Sequence, residues 1–274
     1  MRLEHSIYKS SKASNPRFDQ KSVQDSLEGI CKMWKKYLQS YVDFTGQLFQ
    51  EPELPWENTE RAIVSTLTAA ISRHSNSVVL EESRVKKLGN NLKREAKERL
   101  GWGRCDLWVS IQQAKPENSA FSFYLEAKTA HRARSVDGLG EFLRGRYGIS
   151  KMFRDYSKSN KTRRVDQRSS YRKERKHEHY VIGLLVVPLD GYDIEFDEVK
   201  DELSEAFQTG LRLDLRRRAS DPETEIGRRM QRYPTVALIL RDKDKVHSGM
   251  VAIFTVLGAS AHLKNKSTSE DEAE

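Results

Sequence analysis

Residues 121–129 read Phe-Ser-Phe-Tyr-Leu-Glu-Ala-Lys-Thr, and the fold turns on how this stretch divides between two faces. A β-strand points successive side chains to opposite sides. Phe121, Phe123, Leu125, Ala127 and Thr129 then share one face, and Ser122, Tyr124, Glu126 and Lys128 share the other. Upstream, residues 105–111 repeat the pattern, with Cys105, Leu107, Val109 and Ile111 on one side and Asp106, Trp108 and Ser110 on the other. Lys115 to Ser119, holding a Pro and an Asn, reads as a hairpin connection between the two strands. Pairing of these strands brings Asp106, Glu126 and Lys128 together on the less apolar face.

The acid-x-Lys spacing alone says little in a chain with 32% charged residues. It occurs five times, at Asp19/Lys21, Glu95/Lys97, Glu126/Lys128, Glu174/Lys176 and Glu198/Lys200. Only Glu126 and Lys128 sit inside an aromatic, alternating strand. The other four fall in polar tails, loops or helical charge runs, where a solvated surface explains them. Two carboxylates brought close repel one another, and a divalent cation relieves that repulsion. A neighbouring ammonium can orient an attacking water or balance charge on a transition-state phosphate. Metal-assisted phosphodiester hydrolysis thus accounts for an otherwise costly polar face.

Outward from the hairpin, Val23, Leu27, Ile30, Cys31, Trp34, Leu38, Tyr41 and Val42 recur at helical spacing, which predicts a helix to about Phe49. Residues 1–22 are polar and are expected to form a loose arm. Two prolines between Glu51 and Pro55 end the helix. A second helix is expected from about Glu57 to Arg73, with an apolar stripe of Ile63, Val64, Leu67, Ala70 and Ile71. Glu60 falls near the centre of that stripe, which is odd for a carboxylate. Its simpler reading is a helix-start carboxylate favoured by the macrodipole; Glu57 on the same side of the wheel could serve as well, but the apolar stripe aims Glu60 inward. Strands are expected at about residues 78–85, 180–187, 235–240 and 250–257, helices at 137–156 and 197–213, and a loop at Gly101-Trp102-Gly103. The run 180–187 is apolar throughout, as suits a strand covered on both faces.

Gly103-Arg104-Cys105-Asp106, nineteen intervening residues and Glu126-Ala127-Lys128 together resemble the PD-(D/E)XK nuclease superfamily. The likeness covers roughly residues 57–187, and the surrounding order of elements agrees with it. The resemblance implies an α/β fold with a restriction-endonuclease-like mixed-sheet core of αβββαβ type, flanking helices and an N-terminal helical extension. It implies that Asp106 and Glu126 bind Mg²⁺, for which Mn²⁺ can substitute, with the Ala127 carbonyl as a further ligand. It also implies that Lys128 positions or activates water and that Glu60 completes the metal site. Cys105 stands where the motif's name has Pro, a position that holds no ligand.

The net charge of +8 favours a polyanionic partner, and nucleic acid is the commonest. Nine Lys or Arg stand against three acids between Lys158 and His179. Arg163, Arg164, Arg168, Arg172, Lys173 and Arg175 in that segment, with Arg144 and Arg146 on the preceding helix, are the candidate nucleic-acid contacts. A solvated linker is the competing reading. His177 and His179 have no third metal ligand in view, and Cys31 and Cys105 form no CxxC or Cys/His cluster. No run is long enough to span a bilayer, and the first thirty residues hold no apolar signal core.

These readings predict a cytoplasmic chain with one nuclease domain over residues 23–263 (core 57–187, extension 188–263) and a disordered acidic tail at 264–274. The expected activity is that of a Mg²⁺-dependent deoxyribonuclease in restriction-modification, phage defence, repair or mobile-element processing. DNA is favoured over RNA as substrate, and a homodimer or a partner subunit is compatible with the sequence. The alternatives are a non-catalytic nucleic-acid-binding module and a structural subunit on the same fold.

Overall fold

The computed structural model describes residues 1–10, 20–74, 76–81, 84–87, 101–104, 106–112, 120–130, 132–144, 179–190, 194–216 and 234–259. Its centre is β7 (His179–Leu189), whose near-continuous apolar sequence is buried from both sides. Ile182, Leu184 and Val186 enter one core, and Val181, Leu185 and Val187 enter another. This is what an all-apolar strand requires.

β7 lies in the middle of a seven-stranded mixed sheet of order β1-β8-β9-β7-β6-β5-β2. The other strands are β1 (Leu3–Lys9), β2 (Ser77–Glu81), β5 (Leu107–Gln112), β6 (Ala120–Thr129), β8 (Thr235–Asp242) and β9 (Gly249–Ala259). β6 runs parallel to β7, whereas every other neighbouring pair is antiparallel. β3 (Arg84–Lys87) and β4 (Gly101–Arg104) form a separate antiparallel pair.

Helices α1 (Gln20–Phe49) and α2 (Glu60–Ser72) cover one face of the sheet. Their apolar stripes, from Val23 to Val42 and from Ile63 to Ile71, meet Leu107, Val109, Phe123 and Leu125. The Trp34 indole crosses between the helices and donates to Thr66 Oγ1 at 3.1 Å. Helices α3 (Val136–Arg144) and α4 (Phe196–Arg216) cover the other face, with Leu139, Leu143, Val199 and Leu203 against Leu185, Val187, Ile239 and Ile253. Phe123 and Leu125 are fully buried, and each such side chain contributes on the order of 1.5–3 kcal/mol by leaving water. The result is a mixed-sheet α/β domain with helices on both faces, of the α/β class that the order of elements predicts.

The structure corrects the sequence reading in four places. Residues 3–9 are not a loose arm but the edge strand β1, paired with β8 from Leu3/Asp242 to Lys9/Val236. The expected single strand at 78–85 is split between β2 and β3, which belong to different sheets, and Gly101-Trp102-Gly103 is strand rather than loop. The second helix starts at Glu60, not Glu57. Pro55–Glu57 form one turn of 3-10 helix, and Thr59 caps α2 by accepting from the Ala62 N–H at 3.3 Å. Cys105, the distal part of the helix expected to reach Tyr156, the basic segment 158–178 and the tail 264–274 lie outside the described residues. Among the described residues no helix is long and apolar enough to cross a membrane.

Candidate active site

The β5–β6 register pairs Leu107 with Leu125. One step further places Asp106 across from Glu126, but β5 has ended there. The Asp106 side chain closes the gap in place of a strand hydrogen bond, with Oδ2 accepting from the Ala127 N–H at 2.7 Å. The other side of the same residue is occupied as well. Lys128 Nζ donates to the Ala127 carbonyl at 2.7 Å and lies 3.3 Å from Glu60 Oε1. The expected aspartate and lysine therefore meet at Ala127, one on its amide and one on its carbonyl, and the helix-start glutamate joins them. Glu126 is the adjacent residue. Leu125 and Ala127 are buried while Glu126 and Lys128 are part-exposed, so the alternation read from the sequence holds through the site.

Glu60 is held in place by its surroundings. The Trp56 side chain is 1% exposed and anchors the turn before α2, its indole donating to Ser248 Oγ at 3.4 Å. Glu57 and Asn58 N–H groups donate to Leu54 and Pro55 carbonyls, and Ile63 N–H donates to Thr59. The helix cap then leaves Glu60 as the first residue of α2, facing Lys128. Glu57, the alternative, is engaged elsewhere: it accepts from Ser248 Oγ and pairs with Arg132 Nη2 at 2.9 Å.

The donors around Ala127 are carboxylate and carbonyl oxygens, the ligand type that hard divalent cations take. An in-chain cation, the Lys128 ammonium, already rests between two of these oxygens. The expected three-acid metal set of Glu60, Asp106 and Glu126 is not gathered in this form, since the Glu60 carboxylate is drawn to Lys128. Among the described residues no three His, Cys, Asp or Glu side chains are grouped closely enough to hold an ion by themselves. Asp106, Glu126 and the Ala127 carbonyl carry oxygen donors of the type Mg²⁺ takes, and Mg²⁺ needs only one or two carboxylates because it keeps several waters.

Of the basic residues singled out in the sequence, Arg144 is the last residue of α3, and Arg146, Arg163, Arg164, Arg168, Arg172, Lys173 and Arg175 lie outside the described residues. Sequence reasoning missed Arg132, whose guanidinium also reaches Asp190 Oδ1 at 3.0 Å through Nη1. It sits past the end of β6 with no periodic pattern to mark it. Its place four residues beyond Lys128 was the available signal.

No known family, curated protein or solved structure matches the chain.

Proposed function

We propose that the chain is a metal-dependent nuclease of restriction-endonuclease-like fold that hydrolyses phosphodiester bonds, with DNA as its substrate. The observation that carries this reading is that Asp106 and Lys128 both bond to the Ala127 backbone, beside Glu126, with Glu60 paired to Lys128. With the separate β3–β4 pair set aside, the succession α2, β2, β5, β6, α3, β7, with β2-β5-β6 antiparallel and β7 parallel to β6, supports it as an αβββαβ order.

Asp106 and Glu126, with the Ala127 carbonyl, are the residues that would hold Mg²⁺. A bound divalent cation supplies a Lewis acid for the phosphoryl oxygen and lowers the pKa of a water. Asp106 also ties the end of β5 to β6 through the Ala127 amide. Lys128 is steered by the Ala127 carbonyl and Glu60, so its ammonium is positioned to orient water or to meet charge growing on the phosphate.

A purely structural ion pair is favoured by one contact, that of Lys128 with Glu60. Both side chains are about 40% exposed (40% and 39%), however. An ion pair in that setting contributes only about 0–1 kcal/mol, too little to explain a polar cluster on a packed sheet.

Plasmid and linear DNA incubated with Mg²⁺ or Mn²⁺ should be nicked or cut. Cleavage should stop on chelation and fall by about 100-fold or more in Lys128→Ala while the melting temperature stays close to wild type. Undiminished cleavage by Lys128→Ala would sink the assignment of this site. Binding of DNA without cleavage under either metal, across a panel of varied sequences, would favour the binding module instead.

A further inference from the structure

Two ionic rungs connect the same pair of chain segments, the entry to α2 and the C-terminal end of β6. One is Glu60–Lys128, in the site. The other is Glu57–Arg132, displaced by three residues on the first segment and four on the second. The second rung is the better built. Arg132 spreads its fork over two carboxylates from different elements, Glu57 at 2.9 Å and Asp190 at 3.0 Å. Glu57 is backed in turn by the hydroxyl of Ser248, and Ser248 by the buried Trp56 indole. The backbone on either side of Arg132 is fixed as well, since Ala130 N–H donates to Val186 and Ala133 N–H to Pro188, both at 2.8 Å.

The Glu60–Lys128 contact is longer, at 3.3 Å, and half-exposed. Little slack separates the rungs: residues 57–60 are engaged by the 3-10 turn and by the Thr59 cap. We infer that Arg132 is a positioning residue of the candidate site, holding the α2 entry in register with β6 so that Glu60 meets Lys128. The inference rests on Lys128 being the working lysine of the proposed nuclease. A planar guanidinium can bridge two carboxylates at once, which an ammonium on a flexible stem does poorly.

The test reads Lys128 directly and separately from cleavage. The rate of reductive methylation of each lysine is followed by mass spectrometry in wild type, Arg132→Ala and the milder Glu57→Gln, which keeps a polar partner for Ser248. Release of Lys128 from Glu60 should raise its modification rate about threefold or more, while Lys9 and Lys200, paired in distant parts of the fold, keep theirs. Where wild type cleaves DNA, kcat should fall about tenfold or more with KM nearly unchanged, as for a misplaced catalytic group. Arg132→Lys should fall between wild type and Arg132→Ala in both readouts. An unchanged Lys128 rate in both variants, or an equal rise in all three lysines, overturns the inference. A wild type that cuts no DNA removes the nuclease reading, and the lysine rates still decide whether Arg132 sets the position of Lys128.

Discussion

At the scale of single residues, Asp106 has two separable jobs. Its carboxylate carries charge to the site, and one oxygen takes the place of a strand hydrogen bond on the Ala127 amide. Asp106→Asn keeps an acceptor and removes the charge. Cleavage is expected to drop about 100-fold or more, with a urea midpoint near that of wild type. Asp106→Ala removes both, so stability should fall as well, by about 1–3 kcal/mol, because the Ala127 N–H loses its partner. Equal stability of the two variants, measured by urea unfolding, would mean that the hydrogen bond does not hold the strand ends together. The sequence told these residues apart from four other acid-x-Lys pairs because Phe121, Phe123 and Leu125 make the strand face legible. It favoured Glu60 over Glu57 on the apolar stripe alone. Where the helix begins depends on the local Thr59 cap and the Pro55 turn, and on the buried Trp56, whose indole bonds to Ser248 far along the chain.

At the scale of elements, α1 is held to β1 by charge as well as by apolar packing. Glu28 pairs with Lys9 on β1 and with Lys32 one turn along its own helix. Those ammoniums, Lys32 first and Lys9 second, hold the Glu28 carboxyl below its ordinary value of 4.5. A carboxyl depressed in the folded state adds stability at pH values above 4.5, and that contribution is lost as the pH falls and the group takes up its proton. The Glu28→Gln variant should therefore be less stable than wild type at about pH 6, and the gap should narrow as the pH is taken below 4.5. Urea midpoints measured across that range check the sign; a gap that widens towards acid would contradict the pairing. The element was partly legible beforehand. The stripe from Val23 to Val42 announces α1, whereas β1 went unread because Leu3 and Ile7 are its only aliphatic residues and its hydrogen-bond partners lie in residues 235–242. β4 was missed for a related reason, since a Gly-rich stretch becomes strand only through its pairing with β3.

At the scale of the whole molecule, one continuous sheet carries both cores, and its two helical layers cover β7 on both faces. β1 shields one margin of that sheet. Arg241 on β8 reinforces it through Glu4 at 2.9 Å, while also reaching Glu195 at 3.2 Å and the Ile194 carbonyl at 2.8 Å. Deleting residues 1–9 would bare the hydrogen-bonding groups of β8, whose Val236 to Leu240 are fully apolar. The shortened chain is expected to lose about 2–4 kcal/mol and to scatter light in a concentration-dependent way, as uncovered edges do. A chain that remains monodisperse with an unchanged urea midpoint would show that the strand is dispensable. The mixed-sheet α/β class was legible in the order of elements, with the alternation of β6 and the uniform apolarity of β7. The sheet's outer order was not, because it is decided by pairings between segments remote in sequence.

The β1–β8 pairing also bears on how the protein is made. When residues 3–9 leave the ribosome, their partners at 236–242 have yet to be translated. The strand must wait unmated until residues 236–242 have been made, and this margin of the sheet can close only then. A nascent chain arrested before residue 235 would hold that segment exposed to proteases and chaperones, and release past residue 242 would bury it.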